Sequence, residues 1–327
     1  MSTISVNNLS RHYQVFEKEP GLTGSIKSLI KRKYRKVKAV DKISFTINEG
    51  ELSGFIGPNG AGKTTTLKCL SGLLYPTAGQ VEVLGFTPWN RKHEFLKQIS
   101  LVMGQKNQLW WDLPAIESFI LNKEIYEIPE KQYKETLKTL VELLEVEDIL
   151  QIQVRRLSLG QRMKCELIAA LLHSPKVLFL DEPTIGLDVV MQKKIREFVK
   201  EYNQHFKATI ILTSHYMGDV KELCKRVIII DKGQIVFDGE LAEITKKYAD
   251  HKILKVIFAK KVKQEEMKKI KGLRSFDFPR ATFNVKRAQA SKTAARLLES
   301  FPVADLNIEE PAIEDIIREV FTGRDLA

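Results

Sequence analysis

Apolar positions along the chain fall into two rhythms, and the switches between them mark out its elements. Residues 4–16, "ISVNNLSRHYQVF", read as a strand. Ala39 to Ile47, "AVDKISFTI", alternate like another, with Val40, Ile43, Phe45 and Ile47 apolar. "ELSGFIG" is a further strand that runs straight into a glycine-rich stretch, and Thr64 to Leu74 then take a helical rhythm. "QVEVLG" and "ISLVMG" are short strands. Residues 114–152 are helical, with Tyr133, Leu137, Leu140, Val141 and Leu144 on one stripe. Gln161 to His173 make one more helix, ended by Ser174-Pro175. "KVLFLDEP", "ATIILTSH" and "RVIIIDKG" are continuous apolar runs, the pattern of strands buried on both faces. Between the first two lies a helix whose stripe is Ile195, Phe198, Val199, Tyr202 and Phe206. Strands alternating with helices predict an α/β domain on a parallel core sheet.

The pattern changes near Lys246. Two strands ("ILKVIF", "ATFNVK") and two helical stretches (Ser291 to Ser300, Ile313 to Thr322) predict a small α+β domain over 246–327. A chain of 327 residues is long enough for two cores. Its formal charge of +11 is uneven. Residues 20–40 hold seven basic side chains and no acid, and residues 252–274 are net +7, so the remainder is slightly acidic at −3. That distribution argues against a basic nucleic-acid surface on the body and leaves two local patches to explain. Cys69, Cys165 and Cys224 have neither metal nor redox spacing and read as reduced thiols in a cytosol. No signal peptide opens the chain, and no apolar run approaches the roughly 20 residues of a membrane-spanning helix.

The chemistry is densest in "GPNGAGKTTTLKCLSGL" (Gly57 to Leu73). Gly57, Gly62, Lys63 and Thr64 satisfy G-x-x-x-x-G-K-[S/T], after a strand and before a helix. Glycines let the backbone curl its N–H groups around phosphate oxygens, and the helix start adds partial positive charge. Gly57, Asn59, Gly60, Ala61, Gly62, Lys63, Thr64 and Thr65 are the candidate nucleotide-binding set. Lys63 is placed to reach the β- and γ-phosphates, and Thr64 to offer a hydroxyl to Mg²⁺. Alone, the loop says only nucleoside triphosphate, since kinases and GTPases share it. Asp181, at the end of an apolar strand in "VLFLDEPTIGLD", suits a partner of Mg²⁺. Glu182, next to it, is placed to orient and deprotonate a water attacking the γ-phosphate.

The order of glycine loop, "LSLGQ" (Leu157 to Gln161), "LFLDEP", "GLD" and "SH" closely resembles the ATPase subunits of ABC transporters, over about residues 1–245. The resemblance implies a P-loop α/β domain with a helical subdomain at about 106–173 and a basic insertion at about 20–38. It implies ATP and Mg²⁺ sandwiched between two such chains. Ser158, Gly160 and Gln161 of one chain would then face the ATP bound by the other, a clamp on transition-state charge from across an interface. Gln105 matches the glutamine that senses Mg²⁺ and the attacking water, Asp188 the loop that crosses the dimer interface, and His215 the histidine that contacts the γ-phosphate. Tyr13 is the candidate for stacking on adenine, with a core-facing position as the alternative and Phe16 as a rival. Where the family has glycine this chain has Leu159, with the serine and second glycine retained.

"GQKNQLWWDLP" also resembles the exporter branch whose permease is a separate membrane chain, and "VADLNIEEPAIEDIIREVF" resembles the tail of many exporter ATPase chains. The expected protein is thus the ATPase subunit of a two-component exporter, peripheral on the cytoplasmic face of the membrane. It would act with a polytopic permease and a second ATPase subunit, and no nucleic-acid partner is expected. Lys27 to Lys38 are either a solvated charge run or a contact for acidic lipid headgroups or the permease. Trp110 and Trp111 are adjacent, so one is expected in the core and the other lining a groove. A different class, an ABC-type ATPase acting on ribosomes or nucleic acid, normally brings two motif sets or a long coiled coil, and this chain has neither. A non-catalytic binding module conflicts with the full set Lys63, Asp181, Glu182 and His215.

Overall fold

The computed structural model describes residues 2–17, 33–104, 106–214, 216–248, 251–268, 270–311 and 315–317. The chain divides into two compact units, Met1–Asp238 and Gly239–Ala327.

The first unit opens with a hairpin, β1 (Ser2–Glu17) and β2 (Lys33–Asn48). Next come β3 (Leu52–Ile56), α1 (Lys63–Leu70), β4 (Ala78–Val83), α2 (His93–Leu96) and β5 (Ile99–Met103). Three helices follow, α3 (Ala115–Ile125), α4 (Glu130–Leu144) and α5 (Leu159–Leu171). The unit then runs through β6 (Val177–Asp181), α6 (Val189–Phe206), β7 (Thr209–Ser214), α7 (Met217–Leu223), β8 (Arg226–Asp231) and β9 (Gln234–Glu240). Two sheets result. β2-β1-β4 is antiparallel, and the larger sheet has the order β5-β6-β7-β3-β8-β9, with β5, β6, β7, β3 and β8 parallel. Continuous apolar runs supply its centre: every residue of β6 and of β7 is buried, as strands covered on both faces require. One core cluster joins Ile4, Ile43 and Ile47 of the antiparallel sheet to Phe55, Phe179 and Ile228 of the parallel one, with Leu67 and Leu70 of α1 between.

The charged stretch after β1 departs from expectation at its end. Residues 18–32, with Lys27, Lys31 and Arg32, lie outside the described residues. Lys33 to Lys38 are strand, continuous with the strand read from Ala39: Phe16 pairs with Tyr34 and Gln14 with Lys36 in the hairpin ladder. The Phe16 and Tyr34 rings lie 6.0 Å apart, and cross-strand aromatic contact of this kind supports a strand that charge alone argues against. Among the described residues, no helix is long and apolar enough to cross a membrane.

In the second unit, α8 (Leu241–Tyr248) precedes β10 (His251–Phe258), α9 (Gln264–Lys268), β11 (Leu273–Asp277), β12 (Arg280–Lys286), α10 (Ala290–Ser300) and β13 (Val303–Glu309). The sheet β11-β12-β10-β13 is antiparallel throughout. Leu254, Val256 and Phe283 on its inner face pack with Ala290, Ala294 and Leu297 of α10.

His173, just beyond α5, gives the first unit a defined acid sensitivity. Its ring stacks on Tyr126 with centroids 3.9 Å apart, and Nε2 lies 3.0 Å from the Ile99 carbonyl, to which it donates. Burial pulls its pKa from 6.5 down to about 4. Between those values the unfolded chain binds a proton that the native chain refuses, so stability is complete above pH 6.5 and falls as pH drops towards 4. We expect wild type to lose up to about 3 kcal/mol over this window relative to His173→Phe. Urea melts of both chains at pH 7.5 and pH 5 check it. Parallel losses in the two chains would remove His173 as the cause.

Candidate active site

Strand register gathers the site. In the parallel sheet Ile56 pairs with Ser214, Met103 with Asp181, and Asp181 with Thr213. The glycine loop, Gly104, the Asp181–Glu182 pair and Ser214 therefore lie at one level, at the carboxyl ends where α/β sheets bind ligands.

A cavity of about 520 Å³ opens there. Its wall includes Asn59, Gly60, Lys63, Thr64, Asp181 and Glu182, with Gly62 and Thr65 beside them. The loop curls tightly. A Cβ at Gly62 would come 2.4 Å from the Ala39 carbonyl oxygen, and Gly62 has φ +113°, so no side chain fits. Gly60, by contrast, would meet nothing within 4 Å, and its φ of +81° is what demands glycine. Gly57 lies under the loop, where a Cβ would meet the Ile230 carbonyl at 2.2 Å, and Ala61 is buried. Gly62 caps α1 with no side-chain acceptor, so the first N–H groups of this eight-residue helix have only the cavity to serve.

Lys63 is 5% exposed and donates to the carbonyls of Gly57 at 2.8 Å and Pro58 at 3.2 Å. Its Nζ is 3.6 Å from Glu182 Oε1. Burial pulls the ammonium below its usual pKa, opposed by the charges of Glu182 and Asp181. Thr64 Oγ1 donates to Asp181 Oδ2 at 2.7 Å, and Thr213 Oγ1 donates to Asp181 Oδ1 at 2.6 Å. A hydroxyl and a carboxylate in contact beside the phosphate loop are the hard oxygen donors that Mg²⁺ takes.

Some parts of the site were not foreseen from sequence. Thr213 also accepts from the Glu182 N–H at 3.0 Å, and a threonine inside an otherwise apolar strand was the available signal. Lys68, one helical turn after Thr64, and Lys106 add cations to the cavity wall. Gly104 donates its N–H to the Asp181 carbonyl at 2.9 Å, and a Cβ there would come 2.1 Å from the Glu182 carbonyl oxygen. Glu182 itself has φ +54°, a left-handed position that aims its side chain.

Gln105 and His215 lie outside the described residues. Tyr13 is half-buried with the Arg11 guanidinium 4.7 Å from its ring centroid, and it is not in the cavity wall. Ser158, Gly160, Gln161 and Asp188 are not in the wall either. Ser158 and Gln161 form a reciprocal cap at the start of α5: Ser158 Oγ accepts from the Gln161 N–H at 3.2 Å, and Gln161 Oε1 accepts from the Ser158 N–H at 2.9 Å. Gly160 sits under Met191, where a Cβ would lie 2.8 Å from Met191 Cγ. Asp188 caps α6 by accepting from the Met191 N–H at 2.9 Å, so the two motifs share one contact. Trp110 and Trp111 are 56% and 45% exposed, so neither enters the core; Trp111 instead covers the Arg162 guanidinium at 5.3 Å.

Residues 40–185 match the family described as ABC transporter, and residues 250–309 match the C-terminal domain of EvrA-like ABC transporters. The chain is 34% identical over 212 residues to the ABC transporter ATP-binding protein NatA of Bacillus subtilis strain 168, spanning 65% of this chain and 86% of NatA. It is 32% identical over 224 residues to the bacitracin transport ATP-binding protein BcrA of Bacillus licheniformis, spanning 67% and 72% of the two chains. In fold it is similar to the dimeric post-hydrolysis structure of the ATP-binding cassette MJ0796 bound to ADP and Pi, with a TM-score of 0.60 and 22% identity over 72% of this chain and 98% of that one. The chain belongs to the ABC transporter family as one of its ATP-binding, ATP-hydrolysing subunits.

Proposed function

We propose that this subunit drives a two-component exporter by closing head to tail on a second ATPase subunit, in the first instance another copy of itself. The observation that carries the reading is a divided site. The loop, Lys63, Asp181 and Glu182 share one cavity, whereas Ser158 stands exposed at the start of α5 outside it. ATP bound in the cavity is covered only when another chain brings its own Ser158 and Gly160. Beside Asp188, Val189 and Val190 are 78% and 67% exposed, an apolar pair at the edge where that chain would close.

Within one half-site each group has a task. The loop amides and Lys63 hold the β- and γ-phosphates of the substrate. Thr64 and Asp181, with Gln105, would hold Mg²⁺, which neutralises phosphate charge. Glu182 orients a water and takes its proton as the water oxygen bonds to the γ-phosphorus and the bond to the ADP oxygen breaks. Lys63, His215 and the partner's Ser158 hydroxyl carry the charge that develops on the γ-phosphoryl oxygens. Closure is a shift of population, since only the closed pair offers both faces to ATP. The motion passes to a permease in the membrane, which holds the subunit at the cytoplasmic face. An apolar-lined hollow with Leu73, Leu96, Leu101 and Ile125 in its wall suits a helix of that partner. The export direction rests on the likeness of the "GQKNQLWWDLP" stretch to exporter ATPases.

Light scattering on a Glu182→Gln chain, which binds ATP but is slow to consume it, tests the sandwich. With ATP and Mg²⁺ the mass is expected to double, and adding Ser158→Arg is expected to return it to the monomer. A strictly monomeric Glu182→Gln chain saturated with ATP overturns the proposal.

A further inference from the structure

The second unit carries a cavity of about 770 Å³ whose wall has an unusual charge. Lys271 comes from the turn before β11, Arg274 from the start of that strand, Lys286 from the end of β12, and Lys292 and Arg296 from successive turns of α10, with buried His251 at the start of β10. Among the described residues, none that lines it is acidic. We propose that this cavity binds a small, multiply charged, phosphate-bearing anion.

Three observations carry the proposal. The first is convergence. Lys292 and Arg296 stand four apart on one helix face, with cations from two strands and the turn before one of them, so five positive side chains from separate parts of the unit serve one space. Like charges gathered this way repel, and folding gains nothing by gathering them; an anion of several charges relieves the repulsion. The second is that, among the described residues, most of these cations are not neutralised by a neighbouring acid, although three other cations of the unit are. Lys252 and Arg287 are paired with Glu310, and Lys255 with Glu309. In the cavity wall Arg274 meets Asp315 at 3.3 Å, but among the described residues Lys271, Lys286, Lys292 and Arg296 have no ion-pair partner. The third is the build of the wall. Gly272, between Lys271 and the first residue of β11, has φ +95°, and a Cβ there would lie 2.2 Å from the Asn284 carbonyl oxygen. Only glycine lets this segment close against β12 and bring Lys271 to the rim.

Size and chemistry narrow the ligand. The volume falls in the range of about 300–1,000 Å³ typical of small-molecule sites. Asn284, Gln289 and Thr293 add neutral hydrogen-bonding groups to the cationic wall, a mixture that suits phosphate oxygens on a polar body. The same wall would take a free polyphosphate or the phosphate of a lipid headgroup, and the test separates the two. It also accounts for part of the +7 charge of residues 252–274, which the ATP site does not use.

The test uses the full chain with Lys63→Ala, so that the ATP loop does not report. Inorganic pyrophosphate is titrated by calorimetry, and vesicles of phosphatidylcholine with phosphatidylglycerol are tested by sedimentation. Against each, the chain is compared with the same chain carrying Lys292→Glu and Arg296→Glu, and separately Lys271→Glu and Lys286→Glu. All four side chains are exposed, and unchanged thermal melts show that the fold is intact. The expected result is pyrophosphate binding that weakens about tenfold or more in both double variants, and that weakens in the parent as salt rises. Loss confined to vesicle binding would assign the site to a lipid headgroup. Equal binding of both probes by parent and variants would overturn the proposal.

Discussion

Replacing Glu182 by glutamine is expected to slow ATP turnover by about 10²- to 10⁴-fold while ATP still binds. The two side chains have one shape, and both accept a hydrogen bond. Only the carboxylate takes the proton that the attacking water must shed. The geometry supports this assignment over that of a generic acid at a strand end. Glu182 is held in the left-handed region at φ +54°, its N–H is fixed by the Thr213 hydroxyl at 3.0 Å, and Gly104 leaves no room for a Cβ against its carbonyl. Asp181, one residue earlier, has both oxygens occupied by Thr64 and Thr213 and is the less available base. Substitution also removes the negative charge 3.6 Å from Lys63, but the phosphates of bound ATP supply more negative charge to that lysine than is lost. Steady-state phosphate release, beside equilibrium binding of ATP, makes the measurement. Turnover within tenfold of wild type would show that another group takes the proton.

What could be read from the chain and what could not divide along physical lines. The glycine loop was legible because its spacing, strand and helix are all local. Asp181 and Glu182 were legible because a fully apolar run has to end somewhere, and two acids at its end are conspicuous. The strand Lys33–Lys38 was hidden by its charge. Alternation of basic residues with Tyr34 and Val37 looks like a solvated loop until β1 pairs with it. β11 and β13 were missed for a related reason: they lie at the two edges of the second sheet, where none of their residues is fully buried and apolar alternation is weak. Gly104 and Thr213 act on neighbours across the sheet, and register is a property of pairing that one strand's sequence does not carry. The basic wall of the second cavity is the extreme case, assembled from β11, β12 and α10 with no local motif at all.

Asp219 belongs to the same class, and its removal is expected to have the largest effect on stability of any single change outside the glycine loop. It is fully buried in the first turn of α7. Oδ2 accepts from Thr184 Oγ1 at 2.6 Å and from Ser214 Oγ at 2.8 Å, and Oδ1 accepts from Arg196 Nη1 at 3.1 Å. Arg196 is half-buried and holds Glu222 at 2.5 Å through Nε. One carboxylate thus ties three segments of the site. Thr184 is two residues past Glu182, Ser214 directly precedes His215, and Arg196 lies on α6, which Asp188 caps. Asp219→Ala leaves the buried Thr184 hydroxyl without an acceptor, Ser214 with only the Tyr216 carbonyl at 3.3 Å, and a half-buried guanidinium with half its partners, for an expected cost of about 3–5 kcal/mol. Asp219→Asn keeps the shape and one acceptor oxygen but loses the charge, and is expected to cost about 1–3 kcal/mol. Urea unfolding with an unchanged m-value gives both numbers. Turnover separates a mere loss of stability from a loss of positioning. In Asp219→Asn at a temperature where the chain is fully folded, kcat is expected to fall while KM for ATP holds, because the phosphate loop is untouched and the segments bearing Glu182 and His215 are not. An alanine variant within about 1 kcal/mol of wild type would show that the three segments are held by packing and that the carboxylate is incidental.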